Sequence, residues 1–154
     1  MSTEQDFANN LFQLMEETFE GRHHGIYLDK GTSLFETLET VSVEEASIPV
    51  GGKCASLAAQ VAHVTFFIES FERFALQGDS SPRDWGEIWR TVREVTPEQW
   101  EEYKRKLKEA YLRMDKLFHE NPAWNEDTIG GALSIVVHTA YHLGEIRQAL
   151  CTLK

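Results

Sequence analysis

Apolar residues recur at three- and four-residue intervals along most of the chain, which is the spacing that predicts amphipathic helices. No Asn-Gly or Asp-Gly pair signals a β-hairpin, and the few β-branched residues fall within helical patterns. Besides a shorter helical stretch from Thr32 to Val41, the pattern predicts four main helices: Gln5 to about Glu20, about Lys53 to Leu76, Thr96 to about His119, and about Asp127 to Leu150.

The third main helix carries the clearest end signals. Thr96 is placed to cap its first turn, Pro97 suits the first helical position, and Gln99 completes a capping box. The pair Asn121-Pro122 is expected to stop the helix, because proline cannot continue one.

Four substantial helices joined by loops predict an all-α protein, a four-helix bundle in a single domain over residues 1–154. The fourth helix is apolar on nearly every side from Ile129 to Val137, so we expect it to be the most buried. Gly130, Gly131 and Gly144 are expected to let neighbouring helices approach it closely, which would offset their poor helix propensity.

The composition narrows the classes of function. The 154 residues are 42% hydrophobic, but no apolar run approaches the ~20 residues that cross a membrane. The formal charge is −10, and the basic stretch from Lys104 to Lys108 is flanked by glutamates, which argues against nucleic-acid binding. A polar, acidic N-terminus and two cysteines without a Cys-x-x-Cys pair lead us to expect a cytoplasmic protein.

Three histidines lie in apolar helical settings. His138 and His142 are four residues apart on the fourth helix, so they share one face, and His63 lies midway along the second helix. Imidazole nitrogen binds Zn²⁺ at about 2.1 Å, and three neutral histidines with an open position form a catalytic type of site. We therefore predict one divalent metal ion at these residues, with hydrogen-bonded core histidines as the alternative.

The segment His138–Ile146 resembles the HxxxHxGQI motif of the DinB-like (DinB/YfiT) superfamily. Ala62-His63-Val64 is similar to the phrase that holds the family's third histidine. The stretch Thr32–Leu38, followed by Glu44-Glu45-Ala46 and Pro49, resembles the family's N-terminal part. The resemblance covers most of the chain and implies an up-and-down four-helix bundle with a three-histidine metal site.

The resemblance also implies chemistry. Family members include S-transferases that use low-molecular-weight thiols, and the metal is usually zinc or nickel. We therefore expect metal-assisted nucleophilic chemistry on a small molecule, of the thiol-transfer or hydrolase type, since such a metal acidifies bound water to a pKa of about 7 or activates a thiol. A non-catalytic, stress-related bundle that binds a metal or a small molecule is the alternative. A dinuclear carboxylate site is disfavoured, because no Glu-x-x-His pair includes His63, His138 or His142.

One position departs from the family pattern. Glu145 stands where the family usually has glutamine, three residues after His142 and on nearly the same helix face. It is either an acceptor that fixes the tautomer of a histidine ligand or a surface carboxylate.

Other polar and aromatic residues have weaker claims. For His23 and His24 the sequence allows three roles: part of a lid, an extra ligand, or exposed loop residues. For Cys54 it allows two: a packing residue, or a reactive thiol near the start of a helix. Ser134 either reaches the site or bonds to its own helix. The resemblance implies a homodimer, and four tryptophans are expected at the mouth of the site or at the dimer face: Trp85, Trp89, Trp100 and Trp124.

Overall fold

The computed structural model describes residues 2–120 and 123–154, and every regular element in these two ranges is helical. The all-α class is therefore confirmed. The predicted stop at Asn121-Pro122 lies outside the described residues. The α-helices are α1 (Thr3–Met15), α2 (Leu34–Glu39), α3 (Val43–Ser47), α4 (Leu57–Gln77), α5 (Glu87–Thr91), α6 (Pro97–His119) and α7 (Glu126–Leu153).

Capping decides where the long helices begin. The predicted capping box at α6 is confirmed: Gln99 N donates to Thr96 Oγ1 at 3.1 Å, and Thr96 N donates to Gln99 Oε1 at 2.9 Å. The predicted start of α4 is wrong by four residues. Gly51 and Gly52 have φ values of +63° and +80°, which lie outside helical geometry, and the cap is Ser56 instead.

The core forms where α4 packs against α6 and α7, while α1 lies along α7. Its largest fully buried side chains come from α1 and the turn after it, from α2, and from the three long helices: Leu11, Met15, Phe19, Leu34, Leu38, Leu57, Ile68, Trp100, Leu107, Tyr111, Met114 and Ile135. This arrangement brings the middle of α7 against the first half of α4.

The expectation that the fourth helix is the most buried is wrong. Leu133, Val137 and Tyr141 lie four residues apart along α7 and are 45%, 66% and 64% exposed. This apolar stripe is largely exposed, whereas other positions of α7 pack against α4 and α1. The first half of α4, from Leu57 to Thr65, is buried at nearly every position.

The predicted role of the α7 glycines holds at one position. A Cβ added to Gly131 would lie 2.0 Å from the ring of Phe71, so α4 approaches α7 closely there. A Cβ added to Gly130 or Gly144 would meet no heavy atom within 4 Å, so close packing does not explain those two glycines.

A π-helical turn, Glu16–Glu20, extends α1 and places a carboxylate inside the protein. Glu17 is 1% exposed and accepts hydrogen bonds from the backbone N–H groups of His24, Ile26, Tyr27 and Leu28. Burial alone would raise its pKa, but these four donors outweigh burial and lower the pKa to about 2. The charged side chain therefore ties the following loop to the helix.

No single helix in the described ranges has the length and apolar character that crossing a membrane requires. One bent pair of segments reaches that length and apolar character only when the two are taken together: Val43–Gly52 and Leu57–Gln77, with a bend of 98° between them.

Candidate metal centre

The three histidines predicted as ligands come together. His63 lies in the second turn of α4, and His138 and His142 lie on the adjacent face of α7. The Nε2 atoms of His63 and His138 are 3.0 Å apart, and the ring of His142 lies 4.8 Å from that of His63 and 4.5 Å from that of His138. One nitrogen from each ring falls within 4.8 Å of the other two. We call this cluster the histidine triad.

Burial keeps the triad neutral. His63 and His142 are 8% and 6% exposed, and His138 is partly buried. Burial, reinforced by the neighbouring His142, lowers the pKa of His63 to about 4, and the same two causes, with His63 added, lower the pKa of His138 to about 3. Burial also lowers the pKa of His142, although Glu145 works in the opposite direction. At neutral pH each ring therefore carries a free lone pair, as a metal ligand requires.

Two acceptors orient His142. Its Nδ1 lies 2.5 Å from Gln60 Oε1 and 2.9 Å from Glu145 Oε2. A carboxylate can only accept, so Nδ1 donates, and the lone pair of His142 is on Nε2. Glu145 therefore makes the contact that the acceptor role requires, and a histidine held by a carboxylate in this way is typical of metal sites. Gln60 was missed by sequence reasoning, although its position three residues before His63 places it on the same face of α4.

Aromatic rings enclose the triad. Phe67 stacks on His138 with a centroid separation of 3.8 Å, and Trp89 of α5 lies 4.4 Å from His63. The prediction that tryptophans line the mouth of the site therefore holds for Trp89. The others lie elsewhere: Trp85 packs on Phe66 and Phe67, Trp100 is buried in the core, and Trp124 contacts Phe7 and Phe118.

The remaining candidate residues lie outside the triad. Cys54 is exposed in the loop before α4, and the hydroxyl of Ser134 donates to the carbonyl of Gly130 at 2.8 Å, which is the helix back-bond. His23 and His24 are exposed in the loop after the π-helical turn, where His24 contacts Glu16. Neither joins the metal-ligand cluster found among the described residues.

The donor set suits a divalent ion. Nδ1 of His63 and Nδ1 of His138 are buried and have no hydrogen-bond partner among the described residues, so no described group holds either ring to one tautomer through this nitrogen. At the His63–His138 contact, two nitrogen atoms face each other and only one proton can lie between them. Two nitrogens bound to one ion at about 2.1 Å can be at most about 4.2 Å apart, so small ring movements complete the site. Three imidazoles suit zinc, nickel, copper and iron alike.

The three histidines are thus close enough to form a metal site, with one ligand on α4 and two on α7. No protein-family model, no curated protein and no solved structure matches the chain.

Proposed function

We propose that this protein is a divalent-metal-dependent enzyme that acts on a small molecule, as a thiol S-transferase or a hydrolase. The observation that carries the proposal is the histidine triad, in which three neutral imidazoles converge. Glu145 accepts a hydrogen bond from Nδ1 of His142, which leaves Nε2 of that ring for the metal. Side chains with depressed pKa values in an enclosed site are typical of functional sites.

Each side chain has a part in this proposal. His63, His138 and His142 bind the ion, while Gln60 and Glu145 hold the ring of His142 in the ligating orientation. A divalent ion held in this way lowers the pKa of a coordinating water or thiol towards neutrality, which supplies a nucleophile. The aromatic rings around the triad limit the access of bulk water, which strengthens electrostatic interactions inside the site.

The proposal includes the family and the topology. We assign the chain to the DinB-like superfamily on the HxxxHxGQI-like segment His138–Ile146, with α1, α4, α6 and α7 as the four helices of an up-and-down bundle. Zinc or nickel is the proposed metal, and a low-molecular-weight thiol is the proposed co-substrate. A homodimer is proposed as well, and the exposed stripe Leu133-Val137-Tyr141 is an apolar face of the kind that pairing would cover.

A paired activity assay tests the proposal. Protein loaded with zinc or nickel is mixed with cysteine or glutathione and an electrophilic aryl chloride, and separately with an activated ester, while product absorbance is followed. We expect turnover in one of the two reactions, its loss in His142→Ala and on chelation, and its return when metal is restored. His119→Ala, which removes a histidine outside the triad, should retain the rate.

Metal-loaded protein that turns over neither mixture would favour the alternative function, a bundle that binds a metal or a small molecule without catalysis. The near-complete burial of His63 and His142 favours this non-catalytic function, because a site that only binds a ligand has no need of an open face.

A further inference from the structure

Three cavities reach residues that contact the triad. Gln60 and Glu145 line a cavity of about 470 Å³, Phe67 lines one of about 560 Å³, and Trp89 lines one of about 340 Å³. Since two of the three histidines are less than a tenth exposed, a ligand reaches them only if one of these wall residues moves aside.

The wall residues differ in how firmly they are held. Phe67 lies in the middle of α4, a helix of 21 residues, and Glu145 lies on α7, a helix of 28 residues, and these two helices pack against each other. Trp89 belongs to α5, which has five residues and no buried side chain. Short elements with few buried contacts open at low free-energy cost, so Trp89 is the wall that moves.

The cavity beside Trp89 has the size and lining of a small-molecule site. Its volume of about 340 Å³ falls within the range of ligand pockets. Its walls come from the loop before α4, where Cys54 lies, and from the stretch that follows α5, where Arg93 and Glu94 contribute opposite charges. Arg93 forms no ion pair within residues 2–120 and 123–154, so its guanidinium is available to a polar ligand.

We propose that the substrate occupies this 340 Å³ cavity and that Trp89 is the movable wall through which it reaches the triad. The inference rests on the proposed function, since it locates the substrate of that same site. The fitting ligand is a small polar molecule with a metal-binding head that passes Trp89 and a body that stays against Arg93.

Chemical modification of the histidines tests the wall and requires no bound metal. The full-length protein is stripped with a chelator and treated with diethyl pyrocarbonate, which acylates neutral imidazole, and the modification rate of each histidine is read by mass spectrometry. We expect His63 to react at least tenfold more slowly than the exposed His23, and Trp89→Ala to abolish most of that difference. Trp89→Phe, a milder change if the alanine variant folds poorly, should give an intermediate rate.

The matched control is Trp85→Ala on the same connecting segment. Trp85 packs on Phe66 and Phe67 and has no ring contact with the triad, so its removal should leave the rate at His63 within about twofold of the parent. Equal acceleration by both alanine variants would mean that the whole segment has loosened, and it would overturn the assignment of Trp89.

A covalent plug tests the cavity as the route. Cys54 lines this cavity and also the 470 Å³ cavity, Cys151 lines neither, and both thiols are exposed. Of the three cavities only the 340 Å³ cavity touches Trp89, so the rate gained on removing Trp89 reports on that cavity. In Trp89→Ala protein that also carries Cys151→Ser, a bulky maleimide on Cys54 should slow the modification of His63 again, by about tenfold. The same label on Cys151, with Cys54→Ser, should change nothing.

The remaining outcomes are also decisive. If His63 of the parent reacts as fast as His23, Trp89 does not shield the triad and the proposal is overturned. If a label on Cys54 leaves the rate at His63 unchanged, the substrate route lies outside this cavity, which also overturns it. Failure of the proposed function would appear separately, as the absence of turnover in metal-loaded protein, and would not alter these rates.

Discussion

Removal of the Glu145 carboxylate should weaken metal binding without removing a ligand. Glu145 Oε2 accepts from His142 Nδ1 at 2.9 Å, and a hydrogen bond to a charged group contributes about 1.5–3 kcal/mol. The side chain of Glu145 is 38% exposed, and Gln60 Oε1 remains as a second acceptor at 2.5 Å. The loss of binding free energy should therefore lie at the low end of that range. We expect Glu145→Ala to raise the dissociation constant for Zn²⁺ about tenfold, or about 1.4 kcal/mol.

The two acceptors should compensate for each other. Gln60→Ala alone should raise the dissociation constant for Zn²⁺ by a similar factor. The double variant should lose more binding free energy than the two single variants together, because His142 then turns freely. Glu145→Gln keeps an acceptor oxygen but not the charge and should fall between the parent and Glu145→Ala. Gln148→Ala, three residues further along α7 and lining the same cavity, should bind zinc as the parent does.

Competition for Zn²⁺ against a chromophoric chelator measures these dissociation constants. Unchanged affinity in the double variant would refute the reasoning, since His142 would then need no partner at Nδ1. A loss in Glu145→Ala as large as that in His142→Ala would also refute it, because Glu145 would then be a ligand itself.

Three further predictions concern stability and pH. Glu17→Gln should lower the free energy of unfolding in urea by about 2–3 kcal/mol, because the buried backbone donors lose a charged acceptor. In the parent, the folded pKa of this carboxyl lies below its unfolded value, so its contribution is complete above about pH 4.5 and is lost as the pH falls towards 2. Gly131→Ala should destabilise the protein by about 1–2 kcal/mol through its contact with Phe71, whereas Gly130→Ala should stabilise it by up to about 1 kcal/mol in thermal melts. Zinc affinity should stay nearly constant from pH 7.5 through pH 6, where ordinary histidines already take up protons, and should fall only as the pH approaches 4, because the pKa of His63 is held to about 4. An early decline from pH 7 would contradict the depressed pKa values of the triad.

Local signals in the chain were sufficient for part of the fold. The capping box at Thr96 lies within four residues, so the start of α6 could be predicted. The start of α4 depends on the positive φ angles of Gly51 and Gly52, which the sequence permits but does not dictate, because glycine adopts positive and negative φ about equally readily. The π-helical turn at Glu16–Glu20 has no spacing signature, because it inserts one residue into an otherwise regular helix.

Burial proved harder to predict than helicity. Periodicity shows that Leu133, Val137 and Tyr141 share a face of α7, but it does not show which neighbouring helix covers that face, if any. The same limit applies to Gly144, whose small size suggests a close approach that no element of the described ranges makes.

The candidate site divides in the same way. The four-residue spacing of His138 and His142 is a local fact, and His63 was added from its apolar setting and from the family resemblance. Spacing places Gln60 on the face of His63, but its contact with His142 depends on how α4 and α7 pack, and the contact of Trp89 with His63 depends on how α5 packs.

The metal content of the protein tests the central claim most directly. Untagged protein, purified without added metal, is analysed by elemental mass spectrometry beside His142→Ala and His119→Ala. A metal-binding triad predicts one divalent ion per chain in the parent and in His119→Ala, and little in His142→Ala. No metal in the parent, even after loading with zinc or nickel, would contradict the account and leave the three histidines as core residues.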